Sequence, residues 1–109
     1  MVKPGDVVTV DFPGVRGTKR RPAVVVSTDT YHRTRPDAIL GLLTSQVAAA
    51  TGPTDCVLQD WQTAGLHGQS AFRAFLATVP TASLATIGHL SDQDWLKVQA
   101  CLRVALAMT

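Results

Sequence analysis

The sequence contains no glutamate; all eight of its acidic residues are aspartate. It has two cysteines, Cys56 and Cys101, in neither a metal-binding nor a redox spacing. Reduced, buried thiols are therefore expected, and a disulfide framework is not. The three histidines, His32, His67 and His89, are scattered and form no ligand motif, so no metal site is expected. No apolar run approaches the length of a membrane span. The first residues, Met1-Val2-Lys3-Pro4-Gly5, include no apolar segment of the kind a signal peptide needs. A cytoplasmic location is the resulting expectation. Charged residues make up only 17% of the chain and hydrophobic residues 46%, which excludes disorder as the main state. There is no repeat, no low-complexity linker and no shift in composition, so residues 1–109 read as one domain.

The charge that is present is unevenly placed. Six of the ten cations (Arg16, Lys19, Arg20, Arg21, Arg33 and Arg35) lie between positions 16 and 35, opposed there only by Asp29. A concentrated basic face on a chain of net charge +2 points to a polyanionic partner. The densest part, Lys19-Arg20-Arg21, runs directly into Pro22-Ala23-Val24-Val25-Val26. Proline has no N–H for a ladder and suits a strand start, while it pushes the preceding residue toward extended backbone. The β-branched run behind it reads as a buried strand. Arg21 is thus expected where a mobile basic loop meets a rigid strand, a place suited to presenting a guanidinium accurately.

The rest of the chain falls into short segments. Val7 to Phe12 alternates, with Val8, Val10 and Phe12 on one face and Thr9 and Asp11 on the other. Pro13-Gly14 and Gly17-Thr18 mark a loop. A second strand is expected over Pro22 to Ser27, then a short helical turn around Tyr31-His32. Ala38 to Thr44 reads as a third strand that ends abruptly in Thr44-Ser45-Gln46. Further strands are expected over 55–59, 70–79 and 83–87, with an irregular stretch from Asp60 to Gly68. Ser91-Asp92-Gln93-Asp94 has the form of a helix-opening capping box. Trp95, Val98, Leu102 and Ala105 then recur at helical spacing, with Cys101 beside that stripe. About six mostly antiparallel strands and one long helix follow, the pattern of a small, strongly curved barrel.

Several of these residues recur, in order, in a known family. Gly5-Asp6-Val7-Val8, Arg21-Pro22-Ala23-Val24-Val25, Tyr31-His32-Arg33, Leu43-Thr44-Ser45-Gln46, Ala64-Gly65-Leu66 and Thr78-Val79 together resemble the MazF/PemK toxins of the Kid/CcdB-like superfamily. The resemblance spans nearly the whole chain. It implies an SH3-like β-barrel with helices, usually a homodimer. It implies a sequence-specific, metal-independent endoribonuclease that needs no cofactor and cleaves single-stranded RNA to 2′,3′-cyclic phosphate and 5′-hydroxyl ends. It also implies the toxin of a type II toxin–antitoxin pair, held in check by a cognate antitoxin protein.

Residue by residue, the resemblance assigns catalysis to Arg21 and Thr44, with Ser45 and Gln46 beside them. Arg16, Lys19 and Arg20 are expected to grip phosphates. Trp61, between Asp60 and Gln62, is a candidate stacking platform for a base. Arg73 falls where some members carry an RNA-contacting arginine, but Phe75 replaces the aspartate that would complete an acid–base pair. No histidine lies between Pro13 and Arg20, where some relatives have one; His32 is the nearest candidate proton carrier in sequence. A guanidinium can hold two phosphate oxygens but is a poor proton source, so Arg21 is expected chiefly to stabilise developing charge. Two other readings stay open: a catalytically silent relative that binds RNA or an antitoxin, and a gyrase-directed poison on the same fold. The absence of an aromatic residue in Leu106-Ala107-Met108-Thr109 weighs against the second.

Overall fold

The structure is a computed structural model that describes residues 1–14 and 17–108. Six strands form one sheet: β1 (Asp6–Gly14), β2 (Gly17–Val25), β3 (Asp37–Thr44), β4 (Asp55–Val57), β5 (Ala71–Pro80) and β6 (Ala85–His89). Two helices complete it, α1 (Asp29–Thr34) and α2 (Asp92–Ala105). Every strand pairing is antiparallel, in the order β4-β5-β3-β2-β1-β6. β4 and β6 remain the two edges, so the barrel anticipated from the sequence is not closed.

The sheet nevertheless curls. Phe12 on β1 meets Phe75 on β5 edge-on, with ring centroids 5.7 Å apart. A flat sheet would hold strands three places apart at roughly 14 Å. The register shifts between Val7 and Val8 in β1 and between Gly41 and Leu42 in β3, and such bulges bend the strands that carry them.

Both faces of the central strands are covered, which explains their near-continuous apolar runs. Val8, Val10, Phe12, Ala23, Val25, Leu40 and Leu42 bury one face. On the other, Val7, Val24, Leu43 and Phe72 pack with Val98 and Cys101 of α2. Of the helical stripe expected from the sequence, Val98 is fully buried and Trp95 and Leu102 are half-buried, while Ala105 is exposed.

The start of α2 departs from a capping box in an informative way. The Ser91 hydroxyl accepts from the Asp94 N–H as expected, at 3.2 Å. The Asp94 carboxylate does not turn back to the cap. It is fully buried and accepts the backbone N–H groups of Gln59 at 3.0 Å and Asp60 at 2.8 Å. Lys97 Nζ stands 3.6 Å from it, and Ser91 Oγ donates to Asp60 at 2.6 Å. One carboxylate therefore ties the irregular stretch after β4 to the helix, with its charge offset and its lone pairs occupied.

Both cysteines are free thiols; Cys101 is buried and Cys56 half-buried. Burial, and next the neighbouring Cys101 thiol, push the Cys56 thiol up to about 12. This is the behaviour of an inert packing residue. No helix among the described residues is long and apolar enough to cross a membrane.

Candidate active site

The ladder between β2 and β3 stops at Ala23 opposite Leu42. Continuing the same register would set Pro22 against Leu43 and Arg21 against Thr44. Pro22 has no N–H to extend the ladder. Past this point the two strands border an open cleft of about 580 Å³, lined on one side by Arg20, Arg21 and Pro22 and on the other by Leu43, Thr44, Ser45 and Gln46. Thr9 of β1, Ile87 of β6 and the segment Gly65 to Ser70 complete its walls.

The basic run sits differently from its expected place. β2 begins at Gly17 rather than at Pro22, so Lys19, Arg20 and Arg21 are strand residues facing Phe12, Asp11 and Val10 of β1. The polar face of β1 has a use here: Arg20 Nη2 donates to Thr9 Oγ1 at 3.2 Å and its Nη1 lies 3.8 Å from Asp11. Both partners are largely exposed, so this pair orients Arg20 more than it stabilises the fold. Arg21 is half-buried, and its side chain makes no hydrogen bond or ion pair among the described residues. The Thr44 hydroxyl accepts the Gln46 N–H at 3.1 Å, which fixes the oxygen and leaves the hydroxyl proton to be donated.

The facing wall is held by a close backbone approach. Gly65 has φ +80°, and a Cβ there would lie 2.2 Å from the Ile87 carbonyl oxygen. A Cβ on Gly88 would lie 2.2 Å from the Ala64 carbonyl oxygen. Glycine at both positions lets the turn settle directly on β6. Ala64 N–H donates to Asp60 O and Leu66 N–H to Trp61 O, which close the turn before the wall begins. His67, which belongs to no sequence motif, is brought into the cleft by this wall. Only its position between two glycines in an aperiodic loop hinted at exposure in the sequence.

Other expected site residues lie elsewhere. Trp61 is half-buried against the α2-side core and does not line the cleft. Arg73 alternates with the buried Phe72 and so projects from the face away from α2, into a separate hollow of about 300 Å³ with Asp55 at 3.5 Å. His32 is buried, with Nε2 2.6 Å from Ser27 Oγ; it joins α1 to the end of β2 and is not part of the cleft. Arg16 lies outside the described residues.

The cleft thus combines two guanidiniums, four hydroxyls, two side-chain amides and one imidazole with no carboxylate among its lining residues. Among the described residues there is no group of three or more His, Cys, Asp or Glu side chains that could hold a metal ion. This is the make-up of a site for an anionic, hydrogen-bonding ligand.

The chain belongs to the family of PemK-like, MazF-like toxins of type II toxin–antitoxin systems, whose profile matches residues 3–106. Solved structures are similar in fold along the whole chain. An endoribonuclease from a mycobacterial species, in complex with its cognate antitoxin, matches with a TM-score of 0.80 at 22% identity, over 100% of this chain and 98% of its own. MazE–MazF from Deinococcus radiodurans matches with a TM-score of 0.72 at 20% identity, over 99% and 97%. The Mycobacterium tuberculosis toxin MazF-mt6 matches with a TM-score of 0.75 at 15% identity, over 95% and 98%. No curated protein sequence matches the chain.

Proposed function

We propose that this protein is a metal-independent endoribonuclease that cuts single-stranded RNA at short sequence motifs, acting as the toxin of a type II pair. The observation that carries the reading is that Arg21 and Thr44 line one cleft where the β2–β3 ladder stops. Family membership and the endoribonuclease described in complex with its cognate antitoxin support it.

In this reading the RNA backbone enters the cleft with a phosphate between Arg21 of β2 and Thr44 at the end of β3. The 2′-oxygen attacks the adjacent phosphorus and the 5′-oxygen leaves, which yields the cyclic phosphate and a 5′-hydroxyl. Charge builds on the non-bridging oxygens as the phosphorane forms. The Arg21 fork is matched to two such oxygens, and the Thr44 hydroxyl adds a third donor. Having no internal partner among the described residues, the Arg21 guanidinium breaks no hydrogen bond or ion pair there to meet them. Arg20, steadied by Thr9 and Asp11, takes a neighbouring phosphate; Arg16 and Lys19, close to it in sequence, add positive charge to the same basic run. Ser45 and Gln46 offer polar contacts to base edges or sugar. Arg73 and Trp61 have no part in the cleft. An acidic antitoxin segment laid over the same cations would exclude RNA, and a homodimer in the cytoplasm is the form expected to act.

Incubating the purified protein with a long single-stranded RNA in EDTA, and mapping the new 5′ ends, tests this. Discrete cuts at a recurring motif, with cyclic phosphate termini, are the expected result. Salt-sensitive RNA binding with no cut, or undiminished cleavage by a well-folded Arg21→Ala variant, would sink the mechanism.

A further inference from the structure

Cleavage by the RNA's own 2′-hydroxyl moves two protons, one off the 2′-oxygen and one onto the departing 5′-oxygen. The groups assigned so far move neither well. Guanidinium keeps its protons throughout the neutral range, and aliphatic hydroxyls do not ionise there. The amides of Gln46 and Gln69 do not titrate, and no aspartate lines the cleft. One lining side chain belongs to a class that takes up and releases protons near neutral pH, the imidazole of His67.

Its setting suits that task. His67 is exposed, on the wall that faces Arg21 and Thr44, and it has no hydrogen bond among the described residues. The other two imidazoles are committed elsewhere: His32 is buried against Ser27, and His89 Nδ1 lies 2.8 Å from Asp6 Oδ1. The Gly65–Gly88 contact anchors the wall one residue from Leu66 and two from His67, so the backbone that carries the imidazole is held by packing.

We propose that His67 is the proton-transfer residue of this cleft, an assignment that rests on the ribonuclease reading. The bond from the 2′-oxygen to phosphorus forms as the bond to the 5′-oxygen breaks, and these two oxygens stand on opposite sides of phosphorus. One imidazole therefore serves one of them. Either the neutral ring takes the 2′ proton while water protonates the 5′-oxygen, or the imidazolium protonates the 5′-oxygen while water takes the 2′ proton. Both balance.

The test is single-turnover cleavage of a short RNA carrying the mapped site, from about pH 5 to about pH 8, by wild type, His67→Ala and His67→Gln. The wild-type rate should show a pH-dependent limb within that window. His67→Ala should lose about 10²-fold at neutral pH and lose that limb, while RNA affinity changes less than about twofold. Added imidazole should restore part of the His67→Ala rate, since the side chain it replaces is open to solvent. An RNA with sulfur in place of the bridging 5′-oxygen has a leaving group that needs no proton. Restoration of His67→Ala on it assigns the 5′ side, and lack of restoration with the limb lost assigns the 2′ side; either supports the proposal. His67→Ala cleaving at the wild-type rate overturns it, as does a uniform loss with the limb intact and no response to imidazole. Wild type that leaves RNA uncut at every pH overturns the ribonuclease reading itself, a result distinct from both.

Discussion

Two polar regions lie at the two ends of the segment Leu58 to Ser70, and they treat their polar groups in opposite ways. Around Asp94 every carboxylate oxygen has a donor and the side chain is fully buried. In the cleft the side chains of Arg21, Ser45, Gln46, His67 and Gln69 make no hydrogen bond among the described residues, and most are exposed. The first arrangement contributes stability, because charge-assisted bonds out of water are strong and costly to break. The second contributes little to the fold and leaves donors ready for a ligand. Substitution should therefore separate the two: stability should respond at one end and activity at the other.

Arg21→Ala should lower cleavage by about 10³-fold, about 4 kcal/mol of transition-state stabilisation, while the unfolding free energy shifts by less than about 1 kcal/mol. Single-turnover cleavage paired with urea denaturation checks this; a large loss of stability would blur the division. Asp94→Ala should show the reverse, a loss of about 3 kcal/mol in stability from the stranded N–H groups of Gln59 and Asp60. Its remaining folded fraction should cut RNA at nearly the wild-type rate at low temperature. Thr44→Val removes one donor to a developing charge, so cleavage should fall by about 10- to 100-fold, with about 1 kcal/mol lost in stability because the Gln46 N–H gives up its acceptor. A change smaller than threefold would leave Thr44 as a turn-forming residue alone.

The smallest effect concerns Cys56, on the α2 side. Its folded pKa of about 12 exceeds the ordinary 9.0, so between those values the folded state holds a proton that the unfolded state has lost. Stability present below pH about 9.0 is then lost as pH rises toward about 12. Urea midpoints measured across that window should fall less steeply for Cys56→Ala than for wild type.

Much of this was legible in the sequence, and the parts that were not share a cause. Alternation in Val8, Val10 and Phe12 located β1, and the stripe through Trp95, Val98 and Leu102 located α2, because burial on one face writes a period into the chain. The ends of apolar runs located Arg21 and Thr44. The basic run was misplaced because strand pairing, not composition, decides whether Gly17 to Arg20 is loop or ladder; its partner strand supplies Thr9 and Asp11 from eleven and nine residues away. Trp61 read as exposed from its polar neighbours Asp60 and Gln62, yet the turn it sits in folds it inward. His67 carries no periodicity, and its nearness to Arg21 depends on Gly65 meeting Gly88, a contact between segments that are distant in sequence.

The pairing of β6 with β1 has a consequence for the order in which the protein is made. Asp6 lies opposite His89, so the first strand waits for the last before that side of the sheet exists. Arg21 and Thr44 emerge from the ribosome well before His67, and Ile87 follows later still. A nascent chain can hold the β2 and β3 side of the cleft and lack the segment Gly65 to Ser70 that completes it. Non-local pairing of this kind forms over roughly milliseconds to seconds, so a complete cleft first appears when synthesis of the strands is over. A member of this toxin family assembled in this order has no finished site while its own message is still being read through the first strands.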